Sequence, residues 1–220
     1  MGASGRKDNG LMSTLLKSPL DALNDYEGVV IFQPREGQTS EALYEQICRV
    51  YPAHRKIEQD SKGNVYLMPP TEGESGYQEA LAVTQLTAWS IRKGKGKVFG
   101  PSTTFLFADG EKLQSDAAWI SNERLEAIPY QKRRERIPVV PEFVIEIKSP
   151  SDVYKNLQEK MQQWLSQGVL LGWLIHPDHR EVKIYTPTGV ETRTDIDKLR
   201  GTGPVKGFTL DLRPIWQGLR

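Results

Sequence analysis

The chain has 220 residues, of which 38% are hydrophobic and 26% are charged, and its formal net charge is +1. This length suits one domain with a buried core, and the composition is that of an ordinary globular protein. No run of about 18 apolar residues is present, which excludes a membrane span. The single cysteine excludes an internal disulfide and a zinc site built on several thiolates. We therefore expect a cytoplasmic protein.

Hydrophobic periodicity and turn residues define the predicted elements. Residues 1–25 are rich in Gly, Ser and Lys, which predicts a flexible leader, and residues 26–220 are expected to form a single domain. The expected elements are, in chain order, a helix from Ser40 to about Tyr51, a hairpin from Arg55 to Met68, a helix from about Ser75 to Lys93, strands at Val98–Phe99, Thr103–Phe107 and Leu113–Ile120, a short helix capped by Ser121 or Asn122, an apolar strand from Pro141 to Pro150, a helix from Ser151 or Asp152 to about Gln167, and strands at Val169–Ile175, Glu181–Tyr185 and Gly189–Arg193.

The order of these elements predicts the fold class. The segment from Phe143 to Ile175 reads as strand, helix and strand, which is typical of a parallel crossover. Together with the earlier helices and strands, this order predicts a mixed α/β fold.

Two ionisable side chains, Glu146 and Lys148, interrupt the apolar strand within 141–150. Strand alternation places both on the face that carries Val144, and the odd-numbered residues from 143 to 147 on the other. Alternation alone favours an amphipathic edge strand with a Glu–Lys pair on its wet side. In a strand covered on both faces, however, such groups are costly to bury unless they are paired or bind an ion.

A second carboxylate favours the ion-binding interpretation over the amphipathic edge strand. Asp116 also enters an apolar segment, Leu113–Ile120, and two carboxylates from neighbouring strands make an oxygen-rich site suited to Mg²⁺ or Mn²⁺. A lysine beside them, Lys148, can position water or stabilise negative charge on a phosphate oxygen. Glu79 aligns with apolar residues of the long helix and either faces the sheet or remains in solvent at the start of that helix. The pattern indicates metal-assisted hydrolysis of phosphodiesters.

Two basic clusters, Arg92–Lys97 and Lys132–Arg136, could contact phosphates despite the near-zero net charge. Solvated loops explain them equally well, because charge runs are common on protein surfaces.

With these residues identified, the chain resembles the PD-(D/E)XK nucleases, and within them the Uma-two family of restriction endonucleases. The resemblance covers roughly residues 40 to 190. It is strongest in Ser115–Ile120 and Pro141–Asp152, and it continues through Glu159-Lys160, Gly168 and Trp173–Pro177. Many members of this family carry an apolar residue where this chain has Lys148.

The resemblance implies a restriction-endonuclease-like fold, in which helices flank a four-stranded mixed core sheet and further strands are added, so that 26–220 would be a single nuclease-like domain. It implies Mg²⁺ or Mn²⁺ bound by Asp116, Glu146 and the carbonyl of Ile147. Lys148 would position water, and Glu79 and Lys160 would be auxiliary. The expected partner is nucleic acid, DNA ahead of RNA, with no membrane partner and with a homodimer left open. The alternative is a non-catalytic nucleic-acid-binding or interaction module that retains the fold.

Overall fold

A computed structural model describes residues 29–51 and 56–220. The predicted leader and Arg55, the first residue of the predicted hairpin, lie outside these ranges. The helices are α1 Ser40–Val50, α2 Gly73–Lys93, α3 Asn122–Glu126, α4 Tyr154–Ser166 and α5 Arg213–Gln217. The strands are β1 Val30–Phe32, β2 Ile57–Gln59, β3 Val65–Leu67, β4 Gly96–Phe99, β5 Phe105–Leu106, β6 Lys112–Leu113, β7 Ala117–Ser121, β8 Phe143–Ile147, β9 Leu171–His176, β10 Glu181–Thr186, β11 Gly189–Thr194, β12 Lys198–Arg200 and β13 Thr209–Asp211.

The larger sheet has six strands in the order β11-β10-β9-β8-β7-β4. Its central pair, β8 and β9, is parallel, and the other neighbours are antiparallel. Helix α4 connects β8 to β9, so the predicted crossover and the mixed α/β class are confirmed. Among the described residues, no helix is long and apolar enough to cross a membrane.

Strand β8 is buried on both faces, as the crossover requires. Phe143, Ile145 and Ile147 pack in the core beneath α2, whereas Val144 packs with Trp164 of α4 in a second core. The predicted alternation along this strand is therefore confirmed, and Glu146 lies inside the protein, on the α4 face.

The smaller sheet has five strands in the order β1-β3-β2-β6-β5 and packs against α1. A buried lysine joins these parts, because the Lys112 ammonium lies 2.6 Å from a carboxylate oxygen of Glu41 and donates to Gln59 Oε1 at 2.5 Å. The same ammonium lies 4.6 Å from the centre of the Tyr44 ring. This network fixes β2 between α1 and β6.

The predicted strand Leu113–Ile120 is wrong as a single element. Its first residue ends β6 in the smaller sheet, whereas β7 begins at Ala117 in the larger sheet. Between them, the Gln114 N–H donates to Glu58 Oε1 at 2.9 Å and the Asp116 N–H to the Ile145 carbonyl at 3.1 Å. These bonds hold the segment that passes from the smaller sheet to the larger one, and Asp116 lies where the two sheets meet.

Two helix caps differ from the prediction, and one agrees. Thr39, rather than Ser40, caps α1 by accepting a hydrogen bond from the Ala42 N–H. Asp152 does not cap α4, because its carboxylate closes a turn by accepting from the N–H and hydroxyl of Ser149. Ser121 caps α3 as predicted.

Candidate active site

A cavity of about 480 Å³ lies between the two sheets, with walls from β2, α2, β8 and α4. Its lining is strongly acidic, because nine carboxylate side chains and only two ammonium groups face it among the described residues. The ammonium groups belong to Lys56 and Lys160. The carboxylates are those of Glu58, Asp60, Glu72, Glu79, Glu111, Asp116, Glu146, Asp152 and Glu159.

Asp116 lies at the base of this cavity and is almost completely buried. One carboxylate oxygen accepts the Ile147 N–H at 2.7 Å, and the other pairs with the Lys56 ammonium. Burial alone would raise the pKa of Asp116, but the adjacent Lys56 charge outweighs it and holds that pKa below its usual value. Asp116 is therefore an ionised carboxylate.

Glu79 enters the same cavity from α2, which agrees with the first of the two interpretations of its helical position. The Lys56 ammonium lies 3.2 Å from its Oε1 and thus bridges Glu79 and Asp116. Burial, reinforced by the negative charge of Asp116, raises the pKa of Glu79 to about 7. The interpretation of Glu79 as a solvent-facing residue is excluded.

Glu146 projects from β8 and forms part of the cavity wall opposite Glu79. Its Oε1 accepts the indole N–H of Trp164 at 2.9 Å and lies 3.1 Å from the ammonium of Lys160. Lys160 also pairs with Glu58 at 2.8 Å and donates to the Gln114 carbonyl at 2.7 Å. Burial first, and then the charge of Asp116, raise the pKa of Glu146 to about 8 despite the Lys160 contact.

Lys148 does not join these residues, contrary to the prediction. It lines a separate small pocket with Glu74 of α2 and Trp216 of α5, and its ammonium donates to the Ser149 carbonyl at 2.8 Å. Side chains alternate only while the strand continues, and β8 ends at Ile147. The chain then enters the Ser149–Asp152 turn, so the lysine points to the α2 side of the sheet.

Sequence reasoning missed two residues of the cavity, Lys56 and Glu58. The available signal was the alternation of charged Lys56 and Glu58 around Ile57, which is buried. This pattern places both charges on one side of a short strand. In the sequence the segment reads only as half of a hairpin, since nothing there shows that β2 lies against Asp116.

The buried groups would carry an excess of negative charge if all were ionised, and a cation would stabilise that charge. Four carboxylates, those of Glu58, Glu79, Asp116 and Glu146, face two ammonium groups. The pKa values of Glu79 and Glu146 are raised by burial and because these charges crowd one another. Oxygen ligands favour Mg²⁺ or Mn²⁺ over softer metals.

Within the described ranges, no three His, Cys, Asp or Glu side chains converge as a ready metal cage. Mg²⁺ commonly needs only one or two carboxylates, because it retains several of its waters. The Ile147 N–H points at Asp116, and in an extended strand the carbonyl of the same residue faces the same side. Asp116, Glu146 and the Ile147 carbonyl therefore fit a magnesium-type ion, with Lys56 neutralising part of the charge.

Comparison with known proteins shows which family the chain belongs to. Residues 42–213 match the model of the Uma2 family, which is described as "Putative restriction endonuclease". The chain belongs to the Uma2 family. This match covers most of the chain and confirms the resemblance seen in the sequence.

A solved structure supports the fold of this Uma2 protein. It is the crystal structure of "a putative nuclease belonging to DUF820" from Anabaena variabilis, and its TM-score with this chain is 0.65 at 19% identity. The likeness covers 79% of this chain and 97% of the other, so the restriction-endonuclease-like fold is confirmed. No curated protein matches the chain.

Proposed function

We propose that this Uma2 protein is a metal-dependent endonuclease that hydrolyses phosphodiester bonds, with DNA as the expected substrate. The observation that carries the proposal is the group of four buried carboxylates and two partly buried lysines inside one cavity. Such a group is costly to bury, which favours a chemical role over a purely structural one. Membership of a family described as restriction endonucleases points to the same reaction.

The proposed ligands are Asp116, Glu146 and the carbonyl of Ile147, with Glu79 close enough to Asp116 to adjust the charge. A bound Mg²⁺ or Mn²⁺ would supply a water of lowered pKa and positive charge beside the phosphate. The Ile147 N–H holds one oxygen of Asp116 in place, and the Trp164 indole does the same for Glu146. Both carboxylates are thus oriented before the substrate arrives.

The two lysines have different proposed roles. Lys160 is a positioning residue, because its contacts with Gln114, Glu58 and Glu146 use all three ammonium N–H groups. The Lys56 ammonium bonds to Glu79 and Asp116 alone among the described residues, and the side chain is partly exposed to the cavity. Its third N–H is free to stabilise negative charge on a phosphate oxygen or to orient water.

The acidic cavity also sets how nucleic acid would bind. A polyanion is repelled by a wall with so many more carboxylates than ammonium groups. We therefore expect divalent cations to be needed for binding of the substrate as well as for its cleavage.

The direct test uses purified wild-type protein with circular and linear DNA, single-stranded DNA and RNA. We expect cleavage with Mg²⁺ or Mn²⁺, its loss with a chelator, and its return when metal is restored. Cutting of circular DNA would establish endonucleolytic cleavage, and calorimetry would measure metal binding. Absence of both metal binding and cleavage would contradict the proposal and favour a non-catalytic binding module.

Glu79→Gln is expected to weaken metal binding about tenfold, the lower end of the effect of removing a group that supports a ligand. The glutamine keeps the shape of the side chain and can still accept a hydrogen bond from Lys56, so the fold should persist. Calorimetry with Mn²⁺ measures the affinity, and circular dichroism monitors the fold. A matched substitution of an exposed glutamate, Glu36→Gln, should leave the Mn²⁺ affinity unaltered. Unchanged metal affinity in Glu79→Gln would remove this residue from the site.

A further inference from the structure

The turn after β8 separates two pockets. Ser149, Ser151 and Asp152 line the acidic cavity, whereas Lys148 and Pro150 line the smaller pocket on the α2 side. Alternate residues of one turn thus face the two pockets. A strand of nucleic acid that leaves the cavity across this turn enters the smaller pocket next.

The charges of the smaller pocket are opposite in balance to those of the cavity. Its described lining contains three cations, Lys148, Arg180 and Arg220, and two carboxylates, Glu74 and Asp178. In the cavity, by contrast, carboxylates greatly outnumber ammonium groups. A phosphate beside the cavity is therefore repelled much less by this pocket than by the cavity walls behind it.

Two of the cations are available for a ligand. Neither Lys148 nor Arg220 forms an ion pair with any described residue, and the Lys148 ammonium uses one N–H on the Ser149 carbonyl. Arg180 is already paired with Asp195 and Asp197 at 3.4 and 3.5 Å. Lys148 and Arg220 are thus the pocket's uncommitted positive charges.

We propose that Lys148 and Arg220 bind the phosphate next to the scissile one, which rests on the proposed nuclease function. Ile147, whose backbone meets Asp116, immediately precedes Lys148, and consecutive Cα atoms lie about 3.8 Å apart. The flexible lysine side chain extends well beyond its Cα atom and can therefore reach a phosphate that neighbours one held at Asp116. An ammonium and a guanidinium both bind phosphate well. The pocket thus anchors the strand and takes no part in the chemical step.

The test compares a substrate that has flanking phosphates with one that has none. The substrates are a single-stranded oligodeoxynucleotide and bis(p-nitrophenyl) phosphate, and the variants are Lys148→Ala and Arg220→Ala. Each variant should raise the KM for the oligonucleotide about tenfold, and affect bis(p-nitrophenyl) phosphate far less. Lys148→Arg should restore most of the loss. Lys198→Ala, at an exposed strand position outside the pocket lining, is the matched control.

Oligonucleotide binding in Ca²⁺ measures the anchor without requiring cleavage. Lys148→Ala should lower the slope of log affinity against log salt by about one. Asp178→Asn should act in the opposite direction and tighten binding, because it removes a negative charge from the pocket. Equal rate losses on both substrates would overturn the proposal and return Lys148 to the reaction centre. Wild-type affinity in Lys148→Ala would overturn it too, as would no binding by wild type. Binding without cleavage by wild type would instead count against the nuclease function alone.

Discussion

Asp116→Asn is expected to lower metal-dependent cleavage at least a hundredfold and to weaken Mn²⁺ binding by a similar factor. Loss of a residue that merely supports a metal ligand already costs about ten- to a hundredfold, and here the proposed ligand itself is lost. The new amide oxygen can still accept the Ile147 N–H, but its NH₂ group would face the Lys56 ammonium. Two hydrogen-bond donors, the new amide and the Lys56 ammonium, would then face each other where the Asp116 carboxylate had balanced the lysine charge.

Folding should survive this substitution, because two effects oppose each other. The change removes the ion pair between Asp116 and Lys56, but it also reduces the crowding of charge that helps to raise the pKa of Glu79 and Glu146. Calorimetry, a plasmid cleavage assay and a thermal melt measure metal affinity, activity and stability. Glu36→Gln, which removes an exposed carboxylate outside the cavity lining, serves as the control. Full cleavage by Asp116→Asn would contradict the assignment of this residue as a ligand.

Lys56→Met is expected to change metal affinity and turnover in opposite directions. The Lys56 ammonium neutralises the same carboxylates that would bind the ion or lie beside it, Asp116 and Glu79. Without it the site is more negative, so Mn²⁺ should bind several-fold more tightly. Turnover at saturating metal should nevertheless fall about a hundredfold, which is typical of removing one oriented electrostatic donor.

Tighter metal binding together with slower turnover would distinguish a catalytic lysine from a structural one, because a damaged site would lose metal affinity and turnover together. Lys56→Arg keeps the positive charge and should recover part of the turnover while returning metal affinity towards the wild-type value. Lys198→Met, a control in an exposed strand, should leave both unaltered. Weaker metal binding together with normal turnover would show that Lys56 does not act as proposed.

Much of the site was predictable because burial leaves a visible pattern in the sequence. Asp116 and Glu146 are charges inside apolar segments, and such charges rarely lie in a core without a partner. Helical spacing allowed Glu79 to face either the sheet or solvent, and it faces the cavity; Lys160, expected only as an auxiliary residue, lies beside Glu146. Periodicity along one element therefore reveals which side chains face inward.

Periodicity could not reveal which elements meet, and the errors follow from this. The alternation pattern puts Lys148 on the face of Glu146, but the end of β8 at Ile147 depends on the turn closed by Asp152. Lys56 was missed because its contact with Asp116 joins residues 60 positions apart in the chain. The break before Asp116 was missed because only Gln114 and Ser115 separate it from Leu113, and no glycine or proline marks a turn there. The C-terminal elements β12, β13 and α5 are short and were not predicted.

The buried Lys112 network has a consequence for the temperature range in which the protein can work. Lys56 and Glu58 reach the cavity only while β2 stays in place, and β2 is tied to α1 and β6 through Gln59, Lys112 and Glu41. Segments with few buried apolar contacts open at lower free energy than core strands, and the hydrophobic cluster beneath α1 is smaller than either core of the larger sheet. Warming would therefore remove Lys56 and Glu58 from the cavity by loosening α1 and β2 while the larger sheet is still folded. The temperature at which the proposed activity is lost would then depend on residues that are distant in sequence from Glu146.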